Sequence, residues 1–375
     1  MNNLNIVSAY VGSDQVERLY LGSDIIWEMT QPTPPEPVYS AMPLTFEIIS
    51  AGTINWQPSD SSAGTKSIQY KVNEGEWEWT QSADSATTTI NVNAGDKVQI
   101  RGFDSGYTIV ASGRHHWSFC GSTAVFEAYG NIMSLIFNDL TGTIMDSCAL
   151  YRLFMGCTGL TSAENLILPA TTLADYCYGG MFREDGNLTH APELPATALA
   201  ENCYYGMFSN CTSLTQAPEL PATTLAPYCY DSMFFACTGL TAAPSILPAT
   251  TLASNCYQYM FNGCTSLVTA PALPATTLAN YCYRSMFYGC TSLTQAPELP
   301  ATTLVNYCYY NMFYDCTSLN YVKCLATSRS SSNSTSNWLK NTSPTGTFVK
   351  HPNASFWATG YSGIPDGWTV QNAVI

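Results

Sequence analysis

Apolar residues in the second half of the chain fall into columns that recur with a constant step. The hexapeptide LPAT(T/A)L begins at Leu168, Leu194, Leu220, Leu247, Leu273 and Leu299, a step of 26 residues lengthened once to 27. Behind each copy come Cys-Tyr, then Met-Phe, then, in all copies but one, Cys-Thr-(Ser/Gly)-Leu. Units of this length bury their apolar face only by stacking on neighbours, so the pattern predicts a coil-upon-coil solenoid. In the copy that starts at Leu220, Leu225, Cys229 and Met233 stand at i, i+4 and i+8. That spacing predicts a helix from about Thr224 to Phe234, with Thr223 or Thr224 capping its first turn. An extended stretch follows each helix: LTQAPELP at Leu214 and Leu293, LTHAPELP at Leu188. Its Pro cannot donate to a ladder, so the predicted strand is short and ends there. Helices roughly 8–10 Å apart outside strands roughly 4.8 Å apart would curve the stack.

The front of the chain carries a different pattern. Residues 1–29 hold short strand-like runs split by Gly-Ser pairs, too little for a core of their own. Residues 30–40 are Pro-rich and read as a semi-rigid linker. Residues 41–125 alternate apolar and polar positions (TFEII, SIQYKV, TTTINV, KVQIRG) between turn signals, predicting an antiparallel β-sandwich. The solenoid then spans 126–325. Residues 326–375, with GTFVK, GWTV, Trp338, Trp357 and Trp368, predict a β cap over the apolar face of the last coil. The expected fold class is therefore α+β and multidomain. An N-terminal β-sandwich precedes a leucine-rich-repeat solenoid of one short strand and one helix per repeat, and a small C-terminal β cap closes it.

Composition narrows the function. The 375 residues carry a formal net charge of −14 with only 13 Lys and Arg. A strongly acidic chain without basic clusters argues against nucleic acid and against anionic membranes. No apolar run approaches the roughly 20 residues of a spanning helix, so no membrane insertion is expected. The N-terminus shows no charged region, continuous apolar run or cleavage site, so either the chain is not exported by the usual route or a leader has been removed. Twelve of the 15 Cys lie in two columns of the repeat, read as reduced small hydrophobes rather than bridges; Asp185 replaces one of them.

Catalytic signals are missing. None of the four His lies in HExxH or beside a zinc-type Cys pair, and neither CxxC, a phosphate-binding loop nor a GxSxG elbow occurs. The expectation is a non-enzyme with no cofactor, no metal and no catalytic residue. Binding chemistry is sought on the solenoid surface instead. The Tyr after each first-column Cys never varies and reads as structural, whereas its neighbours vary as on adaptable binding surfaces. This nominates Tyr205, Tyr228, Arg284 and Tyr310. On the strand side His190, Glu193, Gln216, Glu219, Gln295 and Glu298 are expected on a concave face, where repeat proteins commonly bind. A neutral soluble exterior is the alternative for the first set, and the sequence does not say which of the two faces is used. Trp56, Trp77, Trp79 and Trp117 form either a sugar platform or the sandwich core.

The CTSL turn after Met-Phe, the one-strand coil and the Cys-bearing helices resemble the BspA-like leucine-rich repeats of bacterial surface antigens over roughly residues 145–325. Two departures stand out: APELP replaces the usual β-branched strand, and the coil is longer. The layout of sandwich, YGNIMSL, LPATTL repeats and GIPDGWTV is similar to proteins encoded by gut anaerobic bacteria and their phages. VERLYLGSDIIWE, from Val16, resembles the N-terminal segment of phage tail and virion appendage proteins. These resemblances imply adhesion. The expected role is a phage virion protein, a tail or capsid appendage that docks to other virion proteins through residues 1–29. Its solenoid would recognise a host cell-surface glycan or protein; homo-oligomerisation stays open. The alternative is a bacterial cell-surface leucine-rich-repeat adhesin.

Overall fold

A computed structural model describes residues 39–59, 66–80, 87–102, 110–112, 115–137, 140, 142, 145–360 and 362–375, and four short strands between 10 and 28. Those four form two antiparallel hairpins, β1 (Tyr10–Val11) with β2 (Asp14–Gln15) and β3 (Arg18–Leu21) with β4 (Asp24–Glu28). They belong to a unit, Met1–Val38, separate from Tyr39–Ile375. The expected Pro-rich linker falls, up to residue 38, outside the described residues.

In the second unit, alternating apolar residues build two antiparallel sheets. One contains β5 (Leu44–Ser50), β7 (Gln69–Val72), β8 (Glu78–Trp79), β10 (Lys97–Arg101) and β13 (Val125–Asn131), in the order β13-β5-β10-β7-β8. The other orders β11 (Val110–Ser112), β12 (His115–Ser118), β6 (Gly52–Pro58) and β9 (Thr88–Val92) as β11-β12-β6-β9. Leu44, Phe46, Val98 and Ile100 from the first sheet and Ile54, Trp56, Ile90 and Trp117 from the second are buried in the core. Trp56 and Trp117 stack at 5.5 Å, and the Trp56 Nε1–H donates to the Lys66 carbonyl at 2.8 Å. These two tryptophans are core residues. Trp79 is exposed, and Trp77 carries the Arg101 guanidinium 3.9 Å over its ring.

Strand β13 also begins the solenoid. Antiparallel to β5 on one edge, it pairs in parallel with β14 (Leu160–Ser162) and β15 (Leu166–Ile167). Gly130 permits this crowding, since a Cβ there would lie 2.1 Å from the Pro43 carbonyl oxygen. A ring file of Phe46, Phe119, Phe154 and Phe182 carries one core from sandwich to coils. Between them lies α1 (Met133–Phe137), the single α-helix among the described residues.

The expected helix of each repeat is therefore not formed, and the α+β assignment gives way to an almost wholly β architecture. Residues 227–236 and their counterparts are runs of consecutive four-residue turns. Cys229, Asp231, Met233 and Phe235 donate to the carbonyl three residues back, at 3.3, 3.1, 3.3 and 3.1 Å. The alternate donors Tyr230, Ser232, Phe234 and Ala236 cross to Cys256, Gln258, Met260 and Asn262 of the next coil, at 3.0, 2.9, 2.9 and 2.7 Å. An α-helix keeps such N–H groups within itself and has none to give. The sequence step decides between the two. A strict four-residue spacing drifts by about 40° per step on a helix of 3.6 residues per turn, but stays in line on a four-residue turn. Every fourth residue is left-handed: φ is 55° at Tyr228, 57° at Ser232 and 56° at Ala236.

The coil spacing follows. Phe182, Phe208 and Phe234 stack at 5.4 and 5.5 Å with planes within 2°, and Tyr204 lies 5.6 Å from Tyr230. Packed helices would stand roughly 8–10 Å apart. The turn side thus advances by far less than a helix spacing and much closer to the strand spacing of roughly 4.8 Å. On the APELP side the Pro cuts the strand to isolated parallel bridges, such as Gln216 with Ala242 and Gln295 with Tyr321. Longer ladders form at the two ends, in the β13 pairs on the N-terminal side and chiefly near the C-terminus. There β16 (Thr303–Leu304) pairs with β18 (Ser328–Arg329), and β17 (Tyr321–Cys324), β19 (Gly346–Lys350) and β20 (Trp368–Asn372) form a parallel sheet. Trp338 lies between Tyr309 at 5.9 Å and Trp357 at 5.4 Å and continues the ring stack into this end.

The left-handed positions give a test of turn against helix. Ala236 occupies the place that Gly263 and Gly289 hold in the next two coils, all at positive φ. Ala236→Gly is expected to stabilise the protein by about 1 kcal/mol in urea unfolding, because glycine carries no Cβ penalty there. A helix interior would lose about 1 kcal/mol by the same change, so destabilisation would refute the turn assignment.

Candidate functional site

The buried columns separate structure from binding. Cys211, Cys237, Cys264, Cys290 and Cys316 each donate Sγ–H to a Phe carbonyl of the preceding coil, at 2.9 to 3.1 Å. Burial pushes these thiols up, Cys237 to about 12, and all fifteen cysteines are unbridged. A small side chain with one weak donor fits this position. Asp185 replaces it in one coil. Its carboxyl is fully buried, and desolvation lifts its pKa from 3.8 to about 8 against the opposing pull of the Asn187 and Leu188 backbone N–H groups. The invariant Tyr column is also interior: Tyr178, Tyr204, Tyr230, Tyr257, Tyr283 and Tyr309 are almost wholly buried.

Two surfaces carry the sequence-nominated residues. On the APELP side His190, Glu193, Gln216 and Glu219 line one groove of about 570 Å³, with Glu164 at its rim. Glu219 is already engaged, accepting from the Ser245 N–H at 2.9 Å and its Oγ at 3.1 Å. His190 Nδ1 lies 2.9 Å from Thr189 Oγ1. Gln295 and Glu298 occupy the same columns further along and do not reach this groove; Glu298 pairs with Lys323 at 3.0 Å. The coils between them present Ala242 and Ser245, then Thr269 and Ala272, which break the polar row.

The turn side gathers aromatic and charged groups. Tyr205 and Tyr228 line a second cavity of about 410 Å³ with Tyr151, Tyr176, Arg152 and Arg183. Tyr176 lies edge-to-face between Tyr151 at 6.2 Å and Tyr205 at 6.4 Å. Arg183 pairs with Glu184 at 3.2 Å, and Arg152 sits 4.9 Å over Tyr151. Asp231 closes the cavity, buried, accepting from Ser232 Oγ at 2.6 Å and Gln258 Nε2 at 3.0 Å. Desolvation raises its pKa to about 6. Arg284 and Tyr310 meet outside this cavity: the guanidinium stands 5.4 Å from the Tyr310 and Tyr259 rings and 5.7 Å from Tyr281.

The sequence nominated neither Arg152 nor Arg183 nor Tyr259. A helical reading turns successive columns away from one another, whereas the four-residue step lines them up. Asn255 and Tyr259, one step apart, share the same left-handed backbone and so the same place in their turns. Among the described residues no three His, Cys, Asp or Glu side chains gather as for a metal.

No family model and no curated protein matches the chain. Among solved structures, a leucine rich cell surface protein from Faecalibacterium prausnitzii A2-165 is similar over 64% of this chain and 87% of its own length, at 16% identity and a TM-score of 0.21. At that identity and score the likeness assigns this chain neither fold nor function.

Asp185 predicts a pH dependence of stability. Its folded pKa of about 8 lies above the ordinary 3.8, so the native state holds the proton more tightly. Stability is then greatest for this group below about pH 4 and falls as pH rises towards 8. Asp185→Cys restores the column and is expected to flatten that slope, with a gain on the order of several kcal/mol by pH 8. Urea unfolding at a series of pH values checks this. Parallel curves for the two proteins would show that Asp185 does not titrate in the fold.

Proposed function

We propose that this chain is a non-enzymatic attachment protein whose solenoid presents its turn side to an extracellular glycan or protein. One observation carries the reading: tyrosine and arginine are concentrated on that side, around the cavity of Tyr176, Tyr205 and Tyr228 and again around Arg284. Tyr and Arg are the residues that supply most contact energy at recognition surfaces, because they give large area at low entropic cost. The stacked coils supply the rigid backing that such a surface needs.

We place the protein on a bacterial cell surface, with Met1–Val38 as the segment through which it joins a larger assembly. The virion appendage is kept as a second reading because of the cysteines. Fifteen unbridged thiols, most of them buried, suit a chain that folds in a reducing compartment before release.

Labelled full-length protein is expected to bind cells saturably, animal epithelial cells if it is a surface adhesin and bacterial cells if it belongs to a virion. The double variant Tyr205→Ser/Tyr228→Ser is expected to bind about tenfold more weakly with an unchanged melting curve. Equal binding by the variant would remove the turn side from the proposal. Antibody labelling of intact producing bacteria supports the surface location, and co-purification with phage particles supports the virion. Recovery from the cytosol alone defeats both.

A further inference from the structure

We infer that Arg284, with Tyr259, Tyr281 and Tyr310, forms a subsite for the carboxylate of an acidic sugar. The inference rests on the attachment reading and names the ligand chemistry of one part of it. Between Leu168 and Leu319 the only Lys or Arg residues are Arg183 and Arg284. Arg183 has Glu184 as its partner. Arg284 has no ion pair among the described residues, and its Nε–H is buried without an acceptor. The nearby Asp231 carboxylate feels the Arg284 charge, but its oxygens already accept from Ser232 and Gln258. In a chain of net charge −14, this is a cation with no carboxylate in direct contact among the described residues.

Three rings hold it. The guanidinium lies 5.4, 5.7 and 5.4 Å from Tyr259, Tyr281 and Tyr310, within the range of cation–π attraction. Ring attraction steadies the guanidinium without using its N–H donors, so its terminal Nη groups, rather than the buried Nε–H, are left for a carboxylate. Beside it Tyr281 and Tyr307 stack at 4.8 Å with planes 5° apart, and Tyr310 meets Tyr307 edge-on at 5.5 Å. These half-buried rings offer apolar surface beside the guanidinium; the Tyr307 hydroxyl already accepts from Asn333 Nδ2 at 3.0 Å. A pyranose matches that combination, with its C–H face on the rings and ring carboxylate to Arg284. A peptide carboxylate would use the arginine but not the rings.

Glucuronate and N-acetylneuraminate present this shared chemistry from two sources, bacterial or matrix polysaccharide and sialylated host glycan. Full-length protein is titrated with each by NMR, with glucose and acetate as controls. Binding of at least one acidic sugar in the ~mM range is expected, with glucose and acetate markedly weaker. Which acid binds better identifies the source. Arg284→Gln is expected to weaken the acid about tenfold or more, and Arg284→Lys to recover part of the loss, with both melting curves unchanged. Acidic sugars bound equally by wild type and Arg284→Gln, acetate bound as well as the sugars, or no acidic sugar bound would each overturn the subsite. Failure of either reading is distinguishable. Acidic sugar bound without cell binding leaves the subsite and defeats attachment; cell binding unaffected by Arg284→Gln, with no acidic sugar bound, does the reverse.

Discussion

The backbone hydrogen bond from one coil to the next is the constraint on which the repeat region depends. Alternate N–H groups of each turn run cross to the following coil, as Tyr230 does to Cys256 and Phe234 to Met260. That bond sets a coil advance near the strand spacing of roughly 4.8 Å. At such an advance a side chain touches its own counterpart in the next coil, so each column must tolerate self-contact. Flat rings meet the requirement by stacking, as Phe and Tyr do here within a few degrees of parallel. Small thiols meet it by size. The near-identity of the repeats is thus a packing demand, since a ring or thiol replaced in one coil disturbs two neighbours.

The same constraint explains what the sequence disclosed and what it hid. The 26-residue columns gave the stacking and most of the interior residues, because burial and period are written in residue type; the bridges, though short, resume beyond the Pro, as Ile246 does with Ala272. The turn run was misread because Leu225, Cys229 and Met233 satisfy a four-residue step and, over so few positions, a helix face as well. The fourth member, Cys237, separates the two. On a helix it would stand about 120° from Leu225, outside the apolar stripe, yet it is fully buried. Left-handed tyrosines were equally hidden, because Tyr176, Tyr228 and Tyr259 carry no local signal for positive φ as Gly180 or Asn202 do. Their conformation is imposed by the bonds across coils.

The two ends of the stack face the same problem, an apolar surface with unpaired backbone groups. At the N-terminal end β13 belongs to the sandwich and the first coil together, so the Phe46–Phe119–Phe154 ring file continues into the coil stack without a polar break. At the C-terminal end the parallel sheet of β17, β19 and β20 carries on the coil direction, and Trp338 takes the place of the stacked Tyr and Phe. A tryptophan spans both columns at once and donates its Nε1–H to Gly363 at 2.7 Å. Trp357 stacks beyond it at 5.4 Å and extends the ring stack by one more tryptophan.

Variable aromatic and polar side chains collect on the turn side for a reason that follows from the ladder. The position after each invariant Tyr reads Gly179, Tyr205, Asp231, Gln258, Arg284 and Tyr310, and no two neighbours are alike. Its backbone is held by bonds that do not consult the side chain, so residue type there is free of the self-contact rule that governs the interior. Neighbours in this column are some 26 residues apart in sequence and one coil apart in space, close enough for Gln258 to reach Asp231 at 3.0 Å. Substitutions at single positions therefore compose a surface mosaic without disturbing the core. The APELP side has less of this freedom, because Pro interrupts its backbone and residues such as Glu219 and Glu298 are drawn into bonds with the next coil. A rigid ladder whose outer column varies in residue type lets the surface chemistry change from coil to coil while the fold stays as it is.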